Sequence, residues 1–312
     1  MQTLYPRSEA DVIRIFEVAN ASQLALRWAN EGARTSNAGP TRGVPTARTG
    51  LRFDPNTLNQ ILAFDAAKRL IIVQPGVRLS QLNDSVRSDG LCLPIFLEKG
   101  PANQADPTIG HLIHLNSLSD NFLQVGRMVH YVAAIDAVMA DASSVRFSTF
   151  GDGGDMVVLT AKMSYLIPQL FEVATQYRAQ IAAELGAHPW RKNGYNLDIF
   201  DVSAQTMQLY NPNRSLNLAH LLVGSFGQLA FPKRITLRLV DFKIALPSAL
   251  PNTALKFARG GEPTGMRSAA DFESAPPFST LLLEAFGRVK QLFDPEKRLN
   301  PVSAAFVGSL QE

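Results

Sequence analysis

The sequence predicts a mixed α+β protein, and three observations lead there. Apolar residues recur every three or four positions in some stretches and alternate or cluster in short runs in others, the two periods of helix and strand. The strand-like runs come in local groups joined by short turns, without regular alternation of strand and helix. No Gly-x-Gly-x-x-Gly follows a strand, which argues against a nicotinamide-type Rossmann domain.

Taken in order, Ser8 opens a helix, with Asp11 three residues on in an approximate capping box, and Val12, Ile15, Phe16 and Ala19 give its apolar stripe. Leu24, Leu26 and Trp28 alternate with Ala25, Arg27 and Ala29 as a short strand. After the loop at 31–43, Leu58–Asp65 and Leu70–Gln74 read as strands around a turn at 65–68, and Pro75-Gly76 ends the second. Leu79, Leu82 and Val86 mark a helix that ends at Gly90. Residues 94–127 lack periodicity and are rich in Pro, Asn, Ser and Gly, so they read as a long irregular segment of the kind that binds something. Strands follow at Val132–Ala140 and Ser144–Phe150, turning at Asp141. Leu166, Leu170, Val173, Tyr177, Ile181 and Leu185 predict one long helix over 158–186. A helix-like stretch, Leu216–Val223, leads to a strand at Arg234–Val240, and a last helix spans Leu281–Leu292.

Composition narrows the classes. Of 312 residues, 46% are hydrophobic and 18% charged, enough apolar material for a core and too much for a disordered chain. Thirty Lys and Arg against 27 Asp and Glu leave a net charge of +3, too weak to argue for a nucleic-acid partner. The single cysteine, Cys92, excludes a disulfide framework and reads as a small buried hydrophobe. The first residues lack a signal-peptide core, and no run of 18 apolar residues exists, so the expectation is a cytoplasmic protein without a membrane span.

Three loops combine glycine with small polar residues: 32–39, 107–116 and 224–231. Such loops let backbone N–H groups approach a phosphate without interference from a Cβ, although each alone is also an ordinary turn. The histidines make no recognisable metal site. His111 and His114 are three apart, with His130 nearby, but a third ligand at metal spacing is missing. The run at 151–155, GDGGD, has two carboxylates and none of the further ligands of a calcium loop, so it reads as a turn.

Six motifs, in order, carry a family resemblance. PRSEADVIRIFEVAN (6–20), EGARTSNAG (31–39), IIVQPGVRLSQLNDSVRSDGL (71–91), the run from PTIGHLIHLN to AVMAD (107–141), RKNGYNLDIF with LAHLLVGSFGQLAF, and FDPEKRLNP (293–301) resemble the flavin-binding part of the vanillyl-alcohol oxidase/p-cresol methylhydroxylase (PCMH) superfamily. Within it the chain is most similar to FAD-linked D-2-hydroxyacid dehydrogenases of the D-lactate dehydrogenase and glycolate oxidase D-subunit type. The resemblance implies a two-subdomain PCMH-type FAD-binding fold over 1–243, with subdomains of about 1–60 and 61–243. Residues 244–312 would then be the remnant of a much-reduced cap and a C-terminal helix. It also implies an FAD-linked oxidoreductase passing a hydride from a small 2-hydroxy acid to flavin. The alternative from a different class is a catalytically silent homologue that serves as an accessory subunit.

The resemblance assigns cofactor binding to Gly32, Ala33, Arg34, Thr35, Ser36, Asn37 and Gly39, to Pro107, Thr108, Gly110, Asn116 and Gly126, and to Gly224, Ser225, Gly227 and Asn300. On this reading Gly110 and Gly224 are glycines because a side chain would take the ligand's space. Arg191 would face the substrate carboxylate, the flavin loop 31–39 offers no His for a covalent link, so FAD would be non-covalent, and no catalytic base is identified. The chain also departs from the family. Arg34 and His111 replace loop glycines, Leu118 and Ser119 stand in place of Gly-Gly, Phe226 and Gln228 replace Glu and Thr, and Val302-Ser303 replace Gly-Lys. The family's cap histidines have no counterpart in 244–280.

Overall fold

The structure is a computed structural model that describes residues 3–28, 50–95, 106–119, 125–150, 160–186, 194–200, 216–242 and 278–300. Its first unit is a three-stranded sheet of β1 (Thr3–Leu4), β2 (Ala25–Trp28) and β3 (Gly50–Phe53), in the order β1-β3-β2 and all parallel. Helix α1 (Glu9–Ala21) connects β1 to β2. Ser8 caps it: its Oγ accepts from the Asp11 N–H at 3.1 Å, and the Asp11 carboxylate accepts from the Ser8 N–H at 3.0 Å. Val12, Phe16 and Ala19 form the buried stripe, as their spacing predicts. The pairs Ala25↔Gly50 and Trp28↔Phe53 put the carboxyl ends of β2 and β3 on one edge of the sheet. The tail of the chain extends this layer, with Leu299 bridging Leu26 in parallel.

The second unit is a five-stranded antiparallel sheet, β4-β5-β11-β7-β8, built from β4 (Ile61–Asp65), β5 (Leu70–Val73), β7 (Val132–Val138), β8 (Ser144–Phe147) and β11 (Phe231–Arg238). Strand β11 is central, and its alternation places Ile235 and Leu237 in the core with no exposed surface. Short pairs complete the strands: β6 (Leu91–Cys92) with β12 (Val240–Asp241), and β9 (Thr149–Phe150) with β10 (Leu216–Asn217). Phe231 and Val138 belong to the large sheet yet pack in the core of the small unit. The Phe231 ring meets Phe53 edge-on at 5.0 Å and Phe16 at 6.3 Å, so aromatic contacts join the two layers.

Helices α2 (Leu79–Val86), α3 (Ile109–Leu115), α4 (Ala161–Gln176) and α5 (Thr280–Phe293) cover the large sheet's core. The long helix predicted over 158–186 is interrupted. It yields at Tyr177, continues through Arg178–Gln180 and ends in a π-helical segment, Ile181–Gly186. The apolar positions Tyr177, Ile181 and Leu185 are spaced by four. In a regular α-helix each such step overshoots a full turn by about 40°, and wider winding keeps all three on the core side, where they are buried.

Two other expectations differ. The stretch Leu216–Val223 is not a helix but a two-residue strand and a 3₁₀ turn, because Asn217 spends its side chain on Val132 O (3.0 Å), Ala133 O (3.1 Å) and the Ala219 N–H (3.0 Å). The aperiodic segment 94–127 contains α3, whose Ile109, Leu112, Ile113 and His114 are buried on several sides, so no single stripe announces it. The GDGGD run at 151–155 lies outside the described residues. No helix among the described residues is long and apolar enough to cross a membrane.

Gly76 turns the chain at the end of β5 inside a ring of carbonyls. A Cβ there would sit 2.7 Å from Leu58 O and Pro55 O and 2.8 Å from Asn56 O. Gly90 has the left-handed φ of +70°, and a Cβ added there would meet nothing within 4 Å. The Gly90→Ala variant should therefore lose about 1 kcal/mol from backbone strain alone. Gly76→Ala should lose at least about 3 kcal/mol, because backbone atoms cannot give way. Urea midpoints of the two variants check the order, and equal losses would contradict it.

Candidate functional site

The site begins where α3 docks on the Pro75 corner. Thr108 caps the helix, its Oγ1 accepting from the His111 N–H at 3.2 Å. The Ile109 N–H bonds Val77 O at 2.8 Å, the Gly110 N–H bonds Pro75 O at 2.7 Å, and Pro107 O accepts from the Leu79 N–H at 2.9 Å. A Cβ on Gly110 would lie 2.9 Å from both Pro75 Cβ and Pro75 O. Gly110 is thus needed for backbone to meet backbone inside the protein, which differs from the ligand-clearance role read from sequence. The first three N–H groups of α3 are all spent on protein acceptors.

The loop after Leu222 docks on the other end of α3. The Gly224 N–H bonds Ile113 O at 2.8 Å and the Phe226 N–H bonds His114 O at 3.3 Å. Gly224 has φ +78°, and its missing Cβ would stand 3.1 Å from Asn116 Cβ, so its glycine too answers a protein neighbour. Asn116 ends α3 in the left-handed region, φ +48°. Its Oδ1 accepts from the Val129 N–H at 3.1 Å and its carbonyl from Arg127 Nε at 3.1 Å. Gly126, at φ +78°, passes directly against the His130 ring. Asn300 joins two segments: its N–H bonds Leu26 O at 2.9 Å and its Nδ2 bonds Phe226 O at 3.0 Å.

Thr108, Gly110, Ser225 and Gly227 line one narrow cleft, facing Asn56, Pro75, His111 and His114. Gly224, Asn116 and Asn300 brace its walls from behind, while Pro107 pairs with the start of α2 and Gly126 packs under His130. Gly32, Ala33, Arg34, Thr35, Ser36, Asn37, Gly39 and Arg191 lie outside the described residues. The strand preceding the first seven, β2, ends at Trp28 on the edge shared with Phe53, one turn before Asn56. Asn56 and Pro75 were not singled out as site residues in the sequence. The Pro-Gly that ends β5 was legible as a turn, and only the tertiary contact with Gly110 makes it a wall.

Charge is scarce here. Among the described residues, the cleft is lined by no Asp, Glu, Lys or Arg. Burial pushes the His114 imidazole down to about 3, helped by neighbouring His111. Burial also lowers His130 to about 4, with His220 and Arg127 adding to it, and lowers His220 to about 4 despite its hydrogen bond to Val132 O. These three are neutral at pH 7 and weak as bases. Burial, then Asp241, raises the Cys92 thiol to about 11, which leaves it protonated. Among the described residues no three His, Cys, Asp or Glu side chains gather as a metal site. The arrangement suits a flat, uncharged group held by hydroxyl and glycine backbone between walls without Asp, Glu, Lys or Arg.

The buried histidines set a pH dependence. In the unfolded chain each takes a proton near 6.5, in the folded chain only near 3 to 4. The unfolded state therefore binds more protons in between, and stability falls as pH drops from about 6.5 towards 4. At pH 5 His114 and His130 together should withdraw about 4 kcal/mol relative to pH 7. Urea midpoints at the two pH values check this, and His130→Gln should flatten the slope by one proton. An unchanged midpoint would refute the neutral, buried assignment.

Residues 2–148 match the FAD binding domain family. The chain is 26% identical over 235 residues to the D-2-hydroxyglutarate dehydrogenase of Haemophilus influenzae, covering 73% of this chain and 21% of that protein. It is 25% identical over 188 residues to the D-lactate dehydrogenase of Archaeoglobus fulgidus, covering 53% of this chain and 41% of that protein. The chain thus spans less than half the length of either relative. A solved alkyldihydroxyacetonephosphate synthase superposes with a TM-score of 0.47 at 13% identity, over 77% of this chain and 31% of that one. Over residues 2–148, just under half of the chain, the sequence is thus similar to the FAD binding domain family.

Proposed function

We propose that this chain is the flavin-binding part of an FAD-linked oxidoreductase of the 2-hydroxyacid dehydrogenase type, with FAD held non-covalently. One observation carries the reading: three segments far apart in sequence, 108–114, 225–227 and 55–56, meet in a single cleft. The carboxyl ends of β2 and β3, both parallel strands, lie on that side, where open sheets characteristically receive nucleotides. The cleft fits the cofactor's ring end. Thr108 keeps a hydroxyl hydrogen to donate, Ser225, whose hydroxyl donates to Leu222 O at 2.7 Å, keeps acceptor capacity, and Gly227, at φ +66°, presents backbone without a side chain. It does not fit the pyrophosphate, because the α3 N–H groups are already bonded within the protein. The resemblance assigns the pyrophosphate to the loop Gly32–Gly39, and Asn300 holds the loop that frames the ring.

Bound FAD would supply the hydride acceptor. The residues of this chain bind, orient and exclude water. Arg191 is assigned to the carboxylate of a small 2-hydroxy acid, which a guanidinium grips in two places. The described cleft carries no carboxylate, and of its two histidines burial holds His114 down to about 3, which leaves His111 as the remaining imidazole there. That observation favours a second reading, in which the chain works as an accessory or silent subunit and the base, worth about 10²–10⁴ in rate, comes from another polypeptide. Residues 1–243 would form the FAD-binding unit, and 244–312 a cap remnant with the last helix.

Purified protein should show the absorbance of oxidised flavin, and acid precipitation should release all of it into the supernatant; flavin left in the pellet would overturn the non-covalent assignment. Under nitrogen, D-lactate or D-2-hydroxyglutarate should leave the band of the isolated chain unbleached. Rapid bleaching would discard the accessory reading and place a base in this chain.

A further inference from the structure

The loop 224–228 holds an unusual backbone. Its φ is left-handed at Gly224 (+78°), Phe226 (+51°) and Gly227 (+66°). Glycine adopts that region freely, whereas phenylalanine sacrifices about tenfold in population there. Such a residue persists where its surroundings leave no alternative, and such residues cluster at ligand clamps. Three side chains from elsewhere supply the surroundings. Asn300 Nδ2 donates to Phe226 O at 3.0 Å, and the Tyr195 hydroxyl donates to Gln228 Oε1 at 2.8 Å. Lys290, on α5, donates to Gln228 O (2.5 Å), Asp294 Oδ2 (2.5 Å) and Leu299 O (3.0 Å).

An ammonium has three N–H donors, and here three acceptors from three parts of the chain converge on it. The Asp294 side chain is fully buried and that of Lys290 is 15% exposed. Asp294 also accepts from the Arg298 N–H at 3.0 Å and the Leu299 N–H at 2.8 Å. One buried ion pair therefore ties the last helix, the segment 298–300 and the strained loop together. None of these groups lines the cleft; they stand behind the wall that Ser225 and Gly227 form.

We propose that Lys290 is a positioning residue for the cofactor: by fixing Gln228 O and Leu299 O it keeps Phe226 left-handed, so that Ser225 and Gly227 face the cleft before any ligand arrives. The cofactor arm of this inference rests on the reading of the cleft as the FAD site; the loop-clamping arm does not. Arginine is a poor substitute, because a planar fork cannot meet three acceptors gathered around one nitrogen.

The test is a double-mutant cycle between Lys290→Met and Phe226→Gly, with Asn300→Ala as a milder probe that keeps the ion pair. Two quantities are read on the full chain: amide hydrogen exchange at 224–228 without flavin, and FAD affinity by quenching of flavin fluorescence. Lys290→Met should speed exchange at the Phe226 and Gln228 amides at least tenfold and weaken FAD at least tenfold. Asn300→Ala should move both in the same direction by less. Phe226→Gly removes the left-handed penalty, so the double variant should recover most of the affinity lost in Lys290→Met. A role in general stability alone would not be rescued by a glycine in the loop. Unchanged exchange in both Lys290→Met and Asn300→Ala, or no rescue by Phe226→Gly, overturns the proposal. If Lys290→Met does not fold, the cycle of Asn300→Ala with Phe226→Gly decides. If the parent chain binds no FAD, the functional reading fails while the exchange data still judge the clamp.

Discussion

At Gly110 the backbone of α3 lies against the backbone of Pro75, near enough for an N–H···O bond of 2.7 Å and too near for a Cβ. Much of the site depends on that contact. It fixes where α3 starts, and so where Ile113 O and His114 O stand to receive the loop 224–226. Asn116, at the helix's far end, then fixes Val129 and the approach to β7. A glycine cradle at Gly76 holds Pro75 itself in place, closed in by three carbonyls. Small residues matter here because the protein packs main chain on main chain, and a methyl group would force two fixed elements apart.

The same close packing shapes the electrostatics. Helix α3 gives its first N–H groups to Pro75, Val77 and Thr108, so it has little left to offer an anion. His114, two turns into the wall, is buried deeply enough to stay neutral far below physiological pH, with its ring edge-on to Phe226 at 5.5 Å. Among the described residues the cleft is therefore polar without a carboxylate, lysine or arginine. Charge is placed behind the wall instead, in the Lys290–Asp294 pair, where it organises backbone carbonyls. A buried pair of that kind adds little net stability against an apolar alternative, and its clearest use is to specify one conformation.

Some of this was legible in residue patterns. The Ser8/Asp11 cap and the Val12–Phe16–Ala19 stripe specify α1 locally, and the apolar spacing of Leu79, Leu82 and Val86 with the Gly90 stop specifies α2. The motif order also pointed to α3, the 224–228 loop and Asn300 as neighbours of one ligand, and the structure brings those segments together. Periodicity failed where burial is not one-sided. Helix α3 is enclosed on several faces, and Leu216–Val223 is held by the side chain of Asn217 rather than by a helical repeat.

By itself the sequence determined the element types with local causes: caps, stripes and turn residues, whose energies come from neighbours within a few positions. It also showed His111, Phe226 and Gln228 standing where the resembled family has Gly, Glu and Thr. Only the tertiary structure decided what the glycines are for and which charges count. Gly110 and Gly224 answer to Pro75 and Asn116, and Lys290 answers to Gln228 and Leu299, partners separated by tens of residues or by a turn of unpredictable direction. Contacts of that kind depend on how whole elements dock, and docking is set by the summed packing of the core rather than by any local pattern.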